Sequence, residues 1–178
     1  MLNVKVFTPL ALAILTGCAA PAGIEKMTVN EPIFQTANSP LKKSVAVTSV
    51  TGGKETNPMW SSQVSTESFQ RALELSLRYV GLSDPLTSAN KYHLTADILQ
   101  ISQPMLGLDM TVSANVKYSL IDASTRKEIF SKIILGTFTA KFSSAFSGAE
   151  RLKLANEGAA KTNIQLLVNE LQHFKPPL

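Results

Sequence analysis

The sequence predicts an α+β fold, a two-layer sandwich in which a mainly antiparallel four-stranded sheet carries two helices on one face. Apolar and polar residues alternate strictly through residues 110–120, which is the pattern of a half-buried antiparallel strand. Apolar residues recur at spacings of three and four through residues 62–80 and 149–174, which is the pattern of amphipathic helices. With the remaining strands, the predicted order along the chain is β-α-β-β-β-α.

The first strand and the first helix are predicted at residues 44–50 and 62–80. The strand contains three valines in a short run that the turn-forming residues Thr51, Gly52 and Gly53 close. The apolar positions of the helix are Phe69, Leu73, Leu77 and Val80. Gly81 stands where the glycine after a helix C-terminus is expected, so the helix should end there.

Three strands are predicted next, at residues 91–101, 110–120 and 128–138, with a hairpin turn at 122–126. The last of them has apolar residues on both faces. One face carries Ile129, Ile133 and Leu135, and the other carries Phe130, Ile134 and Phe138. Such a strand is either buried on both sides or offers its second face to a ligand or partner.

The second helix is predicted at residues 149–174 and ends before Pro176 and Pro177. These elements predict a single globular domain at residues 44–175. Residues 18–43 contain Pro21, Pro32 and Pro40 among Ser, Thr and Asn and show no sustained period. This segment is predicted to be a flexible tether.

The composition excludes several classes of protein. The 178 residues include 17 Lys and Arg, 13 Asp and Glu, two His and one Cys. A chain of this length can bury a core without disulfides, and one cysteine cannot form an internal bridge. So few His and Cys residues favour neither a metal site nor a cofactor. The basic residues are scattered and barely in excess, so we expect no nucleic-acid partner.

The N-terminus has the layout of a secretory signal at residues 1–17, with Lys5 before an apolar stretch and small residues at its end. It finishes on Leu15, Thr16, Gly17 and the sole cysteine, Cys18. This sequence resembles the lipobox of bacterial lipoproteins. In that family the cysteine thiol carries a diacylglyceryl group, the signal is cut before the cysteine, and the freed amine is acylated, typically with palmitate.

The lipobox resemblance implies that Cys18 is the lipidation site and that the protein is held on a membrane by several acyl chains. In Gram-negative lipoproteins of this kind an aspartate after the cysteine tends to retain the protein in the inner membrane. Ala19 occupies that position, which implies delivery to the outer membrane, with the domain facing the periplasm. A plain secretory signal with a coincidental cysteine is the alternative.

Four of the eight phenylalanines lie between positions 130 and 146. They are Phe130, Phe138, Phe142 and Phe146. In one interpretation they close the end of the sandwich under the second helix. In the other they form an exposed strip that contacts a partner protein or an acyl chain.

Catalytic residues are not apparent. His93 and Asp97 lie on one predicted strand, but four residues along a strand separate them by about 13 Å. No G-x-S-x-G sequence occurs, and the residues before Lys54 lack the first glycine of a phosphate-binding loop. We therefore expect a protein that is not an enzyme.

Beyond the lipobox, the strand-helix-three-strand-helix order and the alternating run at 110–120 resemble the small α/β outer-membrane lipoproteins of the YajG-like type and, more distantly, the lipopolysaccharide-assembly lipoprotein. Our first hypothesis is a non-catalytic accessory or interaction module that docks on an envelope assembly through a sheet edge or the polar sheet face. A lipid- or glycolipid-binding or transfer lipoprotein is the alternative, and an envelope hydrolase is a distant third.

Overall fold

The computed structural model describes residues 19–30, 39–57, 61–84 and 90–177. Its helices are α1 (Ile24–Met27), α2 (Thr66–Tyr79) and α3 (Gly148–His173), and a 3-10 turn lies at Phe142–Ser144. Its strands are β1 (Val45–Thr51), β2 (Tyr92–Ser102), β3 (Met110–Asp122) and β4 (Glu128–Ala140).

The sheet has the order β1-β2-β3-β4 and is mixed, whereas the sequence predicted a mainly antiparallel one. Strand β1 pairs parallel with β2, with Val45 beside Tyr92, while β2–β3 and β3–β4 are antiparallel. The parallel pair is a consequence of α2, because a strand-helix-strand crossover brings the chain back in its original direction.

The number and order of helices also differ from the prediction, because α1 precedes β1 and packs between α2 and α3. Met27 and Val29 are completely buried, and Leu41 is buried as well. Residues 19–30 of the segment predicted as a tether therefore pack against the domain. A four-residue helix is too short to produce a periodic pattern, and tertiary contacts rather than local sequence stabilise it.

The core lies between the sheet and the helices α2 and α3. Alternate residues of β3 from Val112 to Leu120 are buried, as the alternation predicted. Those from Val116 onward pack with apolar side chains of both helices, among them Leu73 and Ile164. Val112 and Ala114 belong to a second cluster with apolar residues of α3 such as Leu152. These contacts bury the apolar stripes that predicted α2 and α3.

Helix α3 lies unusually close to β4 at Gly136. A Cβ atom at this position would lie 2.5 Å from both the Ala159 carbonyl oxygen and the Asn163 nitrogen. The buried Asn163 amide donates hydrogen bonds to the carbonyls of Ala114 (2.9 Å) and Ile134 (2.7 Å). These contacts fix the position of α3 on the sheet and leave the opposite sheet face without a described helix.

Candidate functional site

The structure separates the four phenylalanines instead of gathering them. Phe130 is half-buried and packs edge to face on Phe174, with ring centroids 5.4 Å apart. Phe138 lies eight residues further along β4, about 26 Å away, where its ring covers Gly158 of α3. Phe142 and Phe146 are exposed beyond the end of β4. One aromatic cluster therefore does not exist, and two distinct surfaces take its place.

The first surface is the apolar tip, which comprises Met105, Leu106, Leu108, Phe142 and Phe146. Three of these residues lie in the loop between β2 and β3, and two lie between β4 and α3. Met105 and Leu106 are 97% and 90% exposed, and Phe146 is fully exposed. Large apolar side chains concentrated in this way on a surface usually mark a site of interaction.

Asp109 joins the two loops of the apolar tip. Its carboxylate accepts a hydrogen bond from the Phe142 N–H at 2.8 Å and lies 3.3 Å from the Lys141 ammonium. The Phe142 N–H, assisted by Lys141, holds the pKa of Asp109 below its ordinary value. The loops are therefore held side by side at one end of the sheet.

Arg151, in the first turn of α3, holds the loop between β4 and α3 by hydrogen bonds. The buried guanidinium donates to the carbonyl oxygens of Ala145 (2.8 Å) and Phe146 (3.0 Å). It also lies 5.0 Å from the centre of the Phe142 ring, a cation–π geometry. The exposed rings are thus carried on a backbone that α3 holds in place.

The second surface is the β4 edge, which comprises Ile133, Leu135, Phe138 and Leu166. Ile133 and Leu135 are 58% and 60% exposed on the outer sheet face. Phe138 and Leu166 line a cavity of about 310 Å³ between β4 and α3. Beside this edge the outer face is polar, with paired hydroxyls such as Thr111 and Thr139 at 2.9 Å.

Among the described residues, Asp97 and His173 have hydrogen-bond partners within the fold. Within ranges 19–30, 39–57, 61–84 and 90–177, no group of three or more His, Cys, Asp or Glu side chains is placed to hold a metal ion. Asp97 accepts a hydrogen bond from Thr51 at 2.8 Å. His173 is bonded through Nδ1 to the Asn169 carbonyl. Cys18, the predicted lipidation site, lies outside the described residues.

The part of the chain that the structure describes holds no helix with the length and apolar character needed to cross a membrane.

The chain is similar in structure to several solved proteins. No family model and no curated protein matches the chain. A Xanthomonas campestris protein assigned to DUF330 superposes with a TM-score of 0.58 at 11% identity, over 82% of this chain and 91% of that one. A putative lipoprotein from Caulobacter crescentus gives 0.50 at 12% identity, over 73% and 88%. PelC from Paraburkholderia phytofirmans gives 0.46 at 20% identity, over 76% and 90%.

At such low identity, the likenesses to the Xanthomonas and Caulobacter proteins show a shared fold alone.

The sequence interpretation did not single out Met105, Leu106 and Leu108. A signal for them exists in the residues around them, because Pro104 and Gly107 mark a turn and turns are ordinarily polar. Apolar residues that alternate with turn formers do not belong to the buried face of a strand or helix. Such residues are therefore candidates for exposure.

Proposed function

We propose that this protein is a lipid-anchored accessory lipoprotein of the bacterial outer membrane, whose periplasmic domain acts as an interaction module of an envelope assembly and not as an enzyme. The anchor is Cys18, at the end of the lipobox Leu15, Thr16, Gly17 and Cys18. The fold shared with a putative lipoprotein of Caulobacter crescentus supports the assignment to this class.

The observation that carries the docking role is the β4 edge. β4 is a 13-residue strand at the border of the sheet. A strand in this position has backbone N–H and C=O groups with no strand partner on one side, and an added strand can pair with them. Ile133 and Leu135 give that partner an apolar contact on the open sheet face.

The test places a photocrosslinking amino acid at Leu135 in intact cells. The matched control is Arg71, an exposed residue of α2 on the other side of the molecule. We expect a discrete adduct with an envelope protein at position 135 and none at position 71. Equal labelling at both positions, or none at either, would contradict docking through the β4 edge.

The anchor is tested separately by Cys18→Ser. The variant is expected to leave the membrane fraction, and the wild-type protein is expected to carry acyl groups in its mass spectrum. Retention of Cys18→Ser in the membrane would place the anchor elsewhere.

A lipid- or glycolipid-binding role is the second candidate, because Phe138 and Leu166 line an apolar cavity of about 310 Å³. Small-molecule sites span roughly 300 to 1,000 Å³, so this cavity suits part of an acyl chain. Lipid that co-purifies with the wild-type protein and is lost in Leu166→Gln would support this role. Lipid content that is unchanged in the variant would exclude this cavity as the site.

A further inference from the structure

We propose that the apolar tip inserts into the lipid bilayer that holds the anchor, so that the domain sits on the membrane by this end. The proposal rests on the lipid anchor proposed above. The ligand is the membrane surface itself, contacted through Met105, Leu106, Leu108, Phe142 and Phe146.

The two ends of the sheet differ in the chemistry of their loops. At the far end, the β3–β4 turn presents Ser124, Thr125, Arg126 and Lys127, all polar and exposed. At the tip end, two adjacent loops present five large apolar side chains that the core does not use. Such a difference between ends fits a molecule with one end in water and the other at an apolar surface.

The direction of the N-terminal segment identifies that surface. The Val29 N–H donates to Ser76 near the end of α2, whereas the Ala22 N–H donates to the Gln63 carbonyl just before α2 begins. Followed from residue 29 back to residue 22, the chain therefore runs along α2 toward the tip end. The length of α2 between Thr66 and Ser76, which this segment follows, is about 15 Å.

Gln63 connects this segment to the tip. Its amide donates to the Gln103 side chain at 3.3 Å, and Gln103 lies two residues before Met105. Ala19, the described neighbour of Cys18 in the sequence, is three residues before Ala22 and so lies at most about 11 Å from it. The acyl chains would therefore leave the domain beside the apolar tip, and the bilayer that holds them is the nearest apolar surface.

The polar groups of the tip are compatible with the interfacial zone of a bilayer. The Phe142 N–H and the carbonyls of Ala145 and Phe146 are all hydrogen-bonded to side chains. This matters because unpaired backbone groups are costly away from water. Lys141 has a flexible stem that lets its ammonium remain at the headgroup level while the rings lie deeper.

The test measures the contact of single positions with acyl chains. A single cysteine is introduced at Leu106 or Phe146 in the full-length protein purified from membranes, where lipidation blocks Cys18, and it is labelled with a fluorophore. The control is Lys127→Cys, in the polar turn at the far end. The protein is reconstituted into vesicles of phosphatidylethanolamine and phosphatidylglycerol, with or without nitroxide-bearing acyl chains.

We expect the nitroxide lipids to quench fluorescence at positions 106 and 146 and to leave it unchanged at 127. Absence of quenching at 106 and 146 in lipidated, vesicle-bound protein would overturn insertion and leave the anchor intact. A disulfide between two copies of the unlabelled Leu106→Cys protein, together with no quenching in the labelled protein, would overturn it in favour of a contact between copies of this chain.

Failure of the anchor itself has a different signature, which is purified protein without acyl mass. In that case the single cysteine at 106 or 146 is placed in the Cys18→Ser background, so that it alone is labelled, and quenching by the same vesicles still reports on the tip.

Discussion

The hydroxyl of Tyr118 donates a hydrogen bond of 2.7 Å to Oδ1 of Asn163 in the middle of the core. Asn163 returns two hydrogen bonds to the sheet, to carbonyls of β3 and β4. Both side chains are completely buried, and burial raises the pKa of the Tyr118 phenol well above its ordinary value. The pair therefore joins α3 to the centre of the sheet as a neutral, fully hydrogen-bonded unit.

Asn163→Ala is expected to lower the free energy of unfolding by about 3 kcal/mol, since it leaves the buried Tyr118 hydroxyl without its partner and removes two side-chain hydrogen bonds to strand carbonyls. Tyr118→Phe leaves fewer groups unpaired and should cost about 1 to 2 kcal/mol. Urea unfolding followed by circular dichroism measures both. The exposed Ser131→Ala, expected within about 0.5 kcal/mol of wild type, is the control. An Asn163→Ala variant as stable as this control would contradict the role of the pair.

Two glycines at the contact of α3 with β4 should respond differently to alanine. At Gly136 the new methyl group meets the backbone of Ala159 and Asn163, which cannot yield without moving α3. We expect Gly136→Ala to destabilise the protein by about 3 kcal/mol or more. At Gly158 the three atoms nearest to the methyl group all belong to the half-exposed ring of Phe138.

The matched experiment is made in a Phe138→Ala background, where the obstacle at Gly158 is gone. There, Gly158→Ala should raise the free energy of unfolding by about 1 kcal/mol, because alanine is the better helix former. Gly136→Ala should remain destabilising in the same background. A similar response of both glycines to the loss of Phe138 would show that α3 is free to shift.

The periodicity of apolar residues correctly predicted which faces of β3, α2 and α3 are buried. The alternation through residues 110–120 specified which face of β3 is buried, and the stripes of α2 and α3 specified their inner faces. The parallel pairing of β1 with β2 was missed even though a helix lies between them, because strand composition does not reveal direction. The burial of Met27 was missed because it depends on contacts with α2 and α3.

The candidate surfaces were predicted less well than the fold. Phe142 and Phe146 were named, but whether they close the core or face outward depends on the loop that Asp109 and Arg151 hold. No periodic signal reports such a side-chain hydrogen bond across 33 residues of sequence. The partners of the two phenylalanines at the tip were missed for the same reason.

Met27 tests whether the N-terminal segment belongs to the domain. Its side chain is completely buried, so Met27→Ala should cost about 2 to 5 kcal/mol in the free energy of unfolding. Glu25→Ala, on the exposed side of α1, should stay within about 0.5 kcal/mol of wild type. Equal unfolding midpoints for the two variants would mean that this segment does not contribute to the core in solution.

The β3–β4 turn should make the protein sensitive to acid. The hydroxyl of Ser124, and next the N–H of Thr125, donate to Asp122 and lower its pKa from 3.8 to about 2. A folded-state pKa below the unfolded value contributes stability that is fully present above pH 3.8 and is lost as the pH falls through about 2. Below 3.8 the urea midpoint of wild type should therefore fall more steeply than that of Asp122→Asn. Parallel midpoints for the two proteins across this window would contradict the assignment.

Replacing the phenylalanines by serine should distinguish core positions from surface positions by the loss of stability. Phe130 is half-buried and packs with Phe174 against the core, so Phe130→Ser should cost about 3 kcal/mol in the free energy of unfolding. Phe146 is fully exposed, so Phe146→Ser should leave the urea midpoint unchanged, within about 0.5 kcal/mol. Phe142→Ser should fall between them, because it loses only the contact with Arg151, at a cost of about 1 kcal/mol.

Unfolding of the domain by both Phe142→Ser and Phe146→Ser would return these rings to the core and remove the physical basis of the apolar tip. If only Phe130→Ser unfolds the domain, the two rings at the tip are free to contact a surface outside the protein.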